Sequence, residues 1–543
     1  MRKKFILICC MVVATSMSYI RISEARELPI YVPGEVLVKF TPGSSMQEVQ
    51  AILGQIGAGI IKKFSFMVIY NIKIPANLPV EMAIRFLRAD PRVVYAEPNY
   101  YRYLNLTPND PQYSQMWGLN NSGQTGGVLD ADIDAPEAWN IQTGSPSIVV
   151  VDIDSGMDLI HEDLAVNLWT NPGEIPGNGV DDDGNGFIDD IHGWDVIDND
   201  NDPTDTSPSC GGHGTHTAGT IGAVGNNGKG VVGVNWNLRI MPLRVFGGFL
   251  CSGSDANIIS AIEYYTGFGV RVSNNSYGGG PFNQAQEDAI RASQSLFVAA
   301  AGNGGFDGRG HNNDVTPEYP ASYPLDNIIS VAATDDNDAK AGFSNFGITS
   351  VDLGAPGVDI LSTLPGNAYG LLSGTSMATP HVTGAAALLL AQDSTLTNYE
   401  VKWRLLKGTD FKGYTVLTKG RLNIFKALTL NPQIIIDVTP LGPTDINPGD
   451  TVQYRVTIIN LSGFPKTVTR KIYARHPDGM EGDLEAEATI DLNGGQTLIQ
   501  NFTVVIPSIV PPSHFGAHDL VGRIWTSGFA DFSEDEVLYN ILP

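Results

Sequence analysis

Ser376 lies in "GTSMATPHVTG", a run of small residues leading into the apolar "AAALLL". A serine there is either the cap of a helix or a nucleophile. Attack on a carbonyl by a serine hydroxyl needs a base for its proton, an acid to orient that base, and donors for the oxyanion. The chain offers a candidate for each. His213 stands near the head of "GHGTHTAGT", Asp154 ends the apolar "IVVVDID", and the amide of Asn303 ends "FVAAAGN". Asp152 lies two residues before Asp154, so on a strand it shares that face but sits lower in the sheet. His216 and His381 read as structural members of the same stretches.

These residues need rigid elements to bring them together. Between about residues 110 and 430, buried-strand runs such as "SIVVVDID", "LRIMPLRVF", "VRVSNNSY", "QSLFVAAAGN" and "NIISVAAT" alternate with helical stretches. That pattern predicts an α/β domain, a parallel sheet covered on both faces, with its chemistry at strand ends and the loops beyond. Residues 26–103 read as a small α+β unit: strand "GEVLVKF", helix "MQEVQAILGQIG", one or two strands in "IKKFSFMVIYNIKI", helix "PVEMAIRFLRAD", strand "RVVYAEPNYY". From 435 to 543 the helices stop, and turn-separated strands predict an antiparallel, all-β sandwich.

The size of the chain agrees with several domains: 543 residues exceed one ordinary core. Its net charge of −25 argues against nucleic acid as a partner, allows bound cations and suits a secreted protein. At the N-terminus, Arg2, Lys3 and Lys4 precede a short apolar run, and Ser23-Glu24-Ala25 offers a cleavage point. Residues 1–25 are therefore expected to be a signal peptide, with no membrane span once it is removed. The expected location is outside the cell, in the periplasm or at the cell surface.

"DIDSGMD", "GHGTHTAGT", "AAAGN" and "GTSMATPHVTG" resemble the four signature blocks of the subtilisin family of serine proteases, in that family's order of acid, base, amide and nucleophile. The resemblance covers about residues 110–430, within a catalytic domain expected over 104–430. It implies a subtilisin-like parallel-sheet domain and a serine endopeptidase acting on protein or peptide substrates. Ser376 would be the nucleophile, His213 the base and then the acid, and Asp154 its orienting carboxylate. Asn303 and the Ser376 N–H would hold the oxyanion. An esterase of the α/β-hydrolase type fits less well, because its serine sits in G-x-S-x-G and its histidine follows the serine. An exopeptidase would share the same residues. The non-enzyme alternative is a silent surface or binding protein that uses its C-terminal sandwich.

In that family the substrate adds as a strand between two exposed edges. By resemblance, Ser276, Tyr277, Gly278 and Gly279 form one edge and the wall of the main side-chain pocket, and Ser252 and Gly253 belong to the other. Glu318 falls about where the pocket would end. Pointing inward it would favour a basic residue, but the expectation adopted is a solvent-facing side chain. Cys210 and Cys251, the two cysteines left after signal removal, would flank the cleft near His213. A disulfide is expected there, with a free thiol pair as the alternative.

Ten aspartates and no lysine or arginine lie between residues 181 and 205. Oxygen ligands at alternating positions suit Ca²⁺, and Asp181, Asp183, Asn185 and Asp189 resemble the spacing of a calcium loop. It is not a full EF-hand, since position 12 is His192. Calcium there would be structural, stiffening the insert that leads into His213. A second site around Asp198, Asp200 and Asp202 is a weaker expectation. Residues 26–103 resemble the inhibitory propeptide of secreted subtilases, which implies an autoprocessed zymogen cut near 101–110 and a propeptide acting as its own enzyme's inhibitor.

Overall fold

The computed structural model describes residues 31–541 except 65–67, 76–77, 101–105, 306, 431–433, 442–444, 448–449, 462–465, 476–480, 484–487, 494, 506–515 and 527–531. The expected signal peptide and the first half of the expected cleavage stretch lie outside these residues. The chain forms two compact units, one up to residue 103 and one from 104 onward.

In the first unit, Tyr31–Phe40 pairs antiparallel with Ile69–Lys73 on one side and Val93–Tyr100 on the other, and Gly59–Phe64 extends the sheet beyond Ile69–Lys73. Alternation along the first strand sends Val36, Val38 and Phe40 into a core shared with Val49, Ile52 and Leu53 of the helix Met46–Gln55 and Leu87 of the helix Val80–Arg88. Ser45 starts the first of these helices with a capping box: its hydroxyl accepts from Glu48 N at 3.2 Å, and Glu48 Oε2 accepts from Ser45 N at 2.8 Å. The "IKKFSFMVIYNIKI" stretch resolves into two strands.

The second unit is built on a sheet of nine strands among the described residues. Their order is Asp410–Phe411, Gly420–Arg421, Leu353–Pro356, Ile328–Thr334, Leu296–Ala300, Val272–Asn275, Val149–Asp154, Arg239–Arg244, Trp194–Asp195. All neighbours are parallel except the first pair. Both faces are covered, which is why the strands read as unbroken apolar runs. Val150 faces a core made with the helices His213–Gly222 and Thr375–Gln392, whereas Val151 and Ile153 face a second core with Asp255–Gly267 and Gln284–Ser293.

Beyond residue 433 the described elements are all β. Ile434–Pro440, Thr451–Asn460 and Thr497–Val505 form an antiparallel sheet. Lys466–Arg475, Gly516–Thr526 and Phe532–Ile541 belong to a second sheet. Ile436, Val456, Ile458, Val468 and Ile472 fill a core of their own. The fold is therefore a parallel-sheet α/β domain, with an α+β unit before it and all-β sheets after it. Among the described residues, no helix is long and apolar enough to cross a membrane.

Candidate active site

Val149–Asp154 is the first strand of the nine-stranded sheet along the chain, and later strands are laid down on both sides of it. Crevices in parallel sheets open at such a switch, beyond the C-terminal strand ends. Asp154 is the last residue of that strand.

His213 is the first residue of its helix. The helix starts hard against the strand end: a Cβ on Gly214 would lie 2.1 Å from Gly156 O, so only glycine permits the approach. Its first N–H groups are taken up from below. Gly214 N donates to Ser155 Oγ at 2.9 Å, and Thr215 N donates to Asp205 Oδ2 at 3.2 Å. Burial pushes the Asp205 carboxyl up to about 6. The outcome is a 2.7 Å contact between His213 Nδ1 and Asp154 Oδ1, which also accepts from Ser155 N at 2.7 Å. The Asp154 side chain is 4 % exposed and that of His213 28 %, so only the imidazole is reachable from outside. Burial opposes a charge on His213, but Asp154, by its charge and its hydrogen bond, outweighs it and raises the imidazole above its usual value.

Ser376 is the second residue of the helix Thr375–Gln392. Its hydroxyl donates to Ser276 O at 2.8 Å, and Ser276 Oγ donates to Ser376 O at 2.9 Å. This reciprocal pair clamps the segment after strand Val272–Asn275 onto the helix start. Asn303 follows strand Leu296–Ala300, and its Oδ1 accepts from Thr375 N at 2.8 Å and Thr375 Oγ1 at 3.0 Å. That fixes the amide and leaves Nδ2 for another acceptor. A Cβ on Gly374 would lie 3.5 Å from Asn303 Nδ2 and 3.6 Å from Ser376 N. The two donors thus border one small space that glycine keeps open. Ser376 N is one of the helix's first N–H groups, which have no intrahelical acceptor.

A buried polar web ties these elements together. Asp152 Oδ2 lies 2.9 Å from Thr217 Oγ1, and Asp152 Oδ1 accepts from Asn274 Nδ2 at 2.9 Å. Asn274 Nδ2 also donates to Ser276 Oγ, and Thr383 Oγ1 donates to Asn274 Oδ1, each at 2.9 Å. The helix of His213, the strand of Asp154 and the helix of Ser376 therefore share one set of hydrogen bonds. His216 and His381 are buried against the backbone oxygens of Ile360 and Met377, and burial lowers both imidazoles to about 4.

The expected substrate edges follow the two strands that flank Val149–Asp154. Gly279 N donates to Tyr319 O at 3.0 Å, and the Tyr277 ring packs on Phe246 with centroids 5.0 Å apart, so its side chain belongs to the inner core. Ser252 and Gly253 are exposed, and Ser252 exchanges backbone hydrogen bonds with Gly247. Cys210 is bonded to Cys251, which ties the turn three residues before His213 to this edge. Glu318 departs from its expectation: it is half-buried against Gly278 and Gly302, because its loop is drawn inward by the Gly279–Tyr319 hydrogen bond.

The acidic insert also differs from its reading by spacing. Of Asp181, Asp183, Asn185 and Asp189, only Asp183 joins a carboxylate cluster, with Glu174 and Asp190, whose oxygens lie within 4.8 Å of one another. Asp181 instead accepts from Gly184 N, Asn185 N and Gly186 N, and Asp189 from Asn178 N and Gly179 N. Those carboxylates hold turns. The Asn185 amide reaches Asp190 Oδ2 at 2.9 Å. Glu174 lies before the aspartate block, so nothing in the block's spacing pointed to it. In the weaker second group, Asp198 Oδ2 is paired with Arg244 at 2.7 Å.

Residues 145–424 match the subtilase family, and residues 21–99 match the fervidolysin N-terminal prodomain. The chain is 35% identical over 423 residues to the thermophilic serine proteinase of Bacillus sp. (strain AK1), covering 75% of this chain and 90% of that one. It is 36% identical over 325 residues to thermitase of Thermoactinomyces vulgaris, covering 59% and 99%. It is also 32% identical over 381 residues to subtilisin E of Bacillus subtilis (strain 168), covering 69% and 84%.

Proposed function

Since this chain belongs to the subtilase family and is a serine endopeptidase with an N-terminal prodomain, we propose that Asp154, His213 and Ser376 are its catalytic triad and that Asn303 completes the oxyanion hole. The observation that carries this reading is the 2.7 Å His213–Asp154 hydrogen bond, set among elements that also present Ser376 and Asn303. With Nδ1 held by Asp154, the other ring nitrogen of His213 is the one free to act as base.

The Ser376 hydroxyl hydrogen, given to Ser276 O in the resting site, swings to His213 Nε2. Oγ attacks the peptide carbonyl, and the proton passes to the imidazole, whose charge Asp154 offsets. The carbonyl π electrons move onto oxygen, where Asn303 Nδ2 and Ser376 N donate to it in the space beside Gly374. Collapse breaks the C–N bond, and His213 protonates the departing amine. Water then repeats the sequence on the acyl-enzyme, giving its proton to His213 and releasing the acid and Ser376.

Three further parts complete the proposal. Residues 1–25 direct export. Residues 26–103 act as an intramolecular inhibitor that the enzyme removes by cutting near 101–110. A calcium ion is held by Glu174, Asp183 and Asp190. That cluster fits a hard cation, since its oxygens converge within 4.8 Å and the 181–205 insert supplies no lysine or arginine. Its role is structural.

The test is to express the chain with and without Ser376→Ala and follow its mass over time with calcium present. Loss of an N-terminal fragment and cleavage of casein by the unaltered chain alone sustain the triad. Equal processing and equal casein cleavage by both would place the nucleophile elsewhere.

A further inference from the structure

The aspartate block between residues 181 and 205 ends in Asp205. This last carboxylate belongs neither to the cation cluster nor to the steps above, yet it is buried behind the catalytic pair. The His213 helix starts without a cap of its own. Its N-cap is Gly212, at φ 80°, which has no side chain to offer the first N–H groups. Asp205 fills that role from another segment: its Oδ2 accepts from Thr215 N at 3.2 Å and from Thr215 Oγ1 at 2.9 Å. Its Oδ1 accepts from Ser155 Oγ at 3.3 Å, and Ser155 Oγ in turn accepts from Gly214 N at 2.9 Å.

The partners of Asp205 flank the reacting groups. Thr215 is two residues past His213, and Ser155 adjoins Asp154, whose Oδ1 accepts from Ser155 N at 2.7 Å. One carboxylate thus holds both the neighbour of the acid and the first turn that carries the base. It is anchored in its own place: Asp205 N donates to Met157 O at 3.2 Å, and Met157 N donates to Pro203 O at 3.0 Å. A Cβ on Gly156 would stand 2.4 Å from Pro203 O, so the two segments have no slack between them. Three hydrogens converge on Asp205, an arrangement suited to an acceptor-only carboxylate. Burial pushes this acid up to about 6, so it carries charge over the range in which an imidazole of raised pKa is neutral. His213 faces Asp154 foremost, then Asp152 and Asp205, with His216 on its own helix.

We propose that Asp205 is a positioning residue for the catalytic pair: it serves as the N-cap that the His213 helix lacks, and it sets the distance and the charge at which His213 meets Asp154. The inference rests on the triad reading.

The experiment measures kcat and KM across pH on a short peptide amide for the unaltered enzyme, Asp205→Asn and Asp205→Ala. Asparagine can turn Oδ1 to Thr215 and Nδ2 to Ser155 Oγ, so it keeps the cap and removes the charge. Asp205→Asn is expected to hold plateau kcat within about threefold and to move the acid limb to lower pH. Asp205→Ala is expected to lower kcat about tenfold or more with KM little changed, since the substrate edges lie elsewhere. A kcat unmoved in Asp205→Ala, even with a lower melting temperature, overturns the proposal. So does an acid limb unmoved in Asp205→Asn, which decides the matter if the alanine variant does not fold. The His213 imidazole is also titrated by NMR in the unaltered chain and in Asp205→Asn, its resonance identified by loss in His213→Ala. A lower pKa in Asp205→Asn supports the link even if no peptide is cleaved, a result that would sink the triad reading instead. Equal titration in both proteins overturns the link.

Discussion

Asp152 and Asp154 lie on the same face of one strand, yet one hydrogen-bonds to His213 while the other is sealed beneath it by Thr217 and Asn274. Burial, then the charge of Asp154, push the Asp152 carboxyl well above the usual carboxylate range. Hydrogen counting agrees. Thr217 Oγ1 lies 2.9 Å from Asp152 Oδ2 and 3.0 Å from Gly214 O. Its single hydrogen serves one of these acceptors, and a protonated Asp152 supplies the other. Asp152 is thus a neutral acid that joins three elements. Asp152→Asn, which reproduces that donor and acceptor set, is expected to keep kcat/KM within about threefold. Asp152→Ala removes one hydrogen-bond partner each from Asn274 and Thr217 and is expected to cost about 1–3 kcal/mol in urea unfolding. Asparagine as damaging as alanine would show that the carboxylate is ionised.

The pH dependence follows from His213. A raised imidazole means that the folded state binds its proton more tightly than the unfolded chain does. That contribution to stability is fully present below the unfolded pKa and is lost as pH rises through the folded value. Catalysis runs the other way, because the base must be neutral. The acid limb of kcat/KM is therefore expected above the 6.5 of a free imidazole. A limb below that value would mean that burial, not the carboxylates, sets the imidazole.

Gly374 is expected to be intolerant for reasons of space. A methyl group there would stand 3.5 Å from Asn303 Nδ2 and 3.6 Å from Ser376 N, where the oxyanion would form. Gly374→Ala should lower kcat about a hundredfold, as loss of an oxyanion donor does, with a smaller change in KM. A change confined to KM would place the oxyanion elsewhere.

The Cys210–Cys251 bond closes a sequence separation of 41 residues around the start of the His213 helix. Chain-entropy reasoning assigns such a loop about 4 kcal/mol. Replacing both cysteines with serine should lower the melting temperature and also raise KM, since the bond anchors the edge at Ser252. A lower melting temperature with unchanged KM would limit the bond to stability.

Calcium removal tests the acidic insert. Glu174, Asp183 and Asp190 should lose cohesion in a chelator, so Tm is expected to fall with EDTA and recover with Ca²⁺ but not with Mg²⁺, which keeps its waters. Asp190→Asn should shrink the calcium-dependent part of Tm, and Asp181→Asn, at a turn, should leave it. The opposite pattern would restore the ligands read from spacing.

Local sequence was enough for the parts of this protein that depend on neighbours along the chain. Asp154 ends an apolar strand run, His213 and Ser376 begin helices, and Asn303 follows another strand. The strands of Asp154 and Asn303 and the helix start at Ser376 are matters of periodicity and small residues and were legible before any coordinates, whereas the helix that His213 begins was not. What the tertiary structure decided are relations between segments far apart in sequence. Glu318 faces inward because a hydrogen bond from Gly279 draws its loop against glycines contributed by two other segments. The acidic cluster brings Glu174 to Asp183 and Asp190 because the backbone N–H groups of Asp182, Asp183 and Asp189 all donate to Glu174, which folds the insert around it. Asp152 differs from Asp154 only in what packs over it. Residue type and spacing specify which groups exist and which element carries them. Burial and partners set their charge and direction, and those are properties of the folded surroundings.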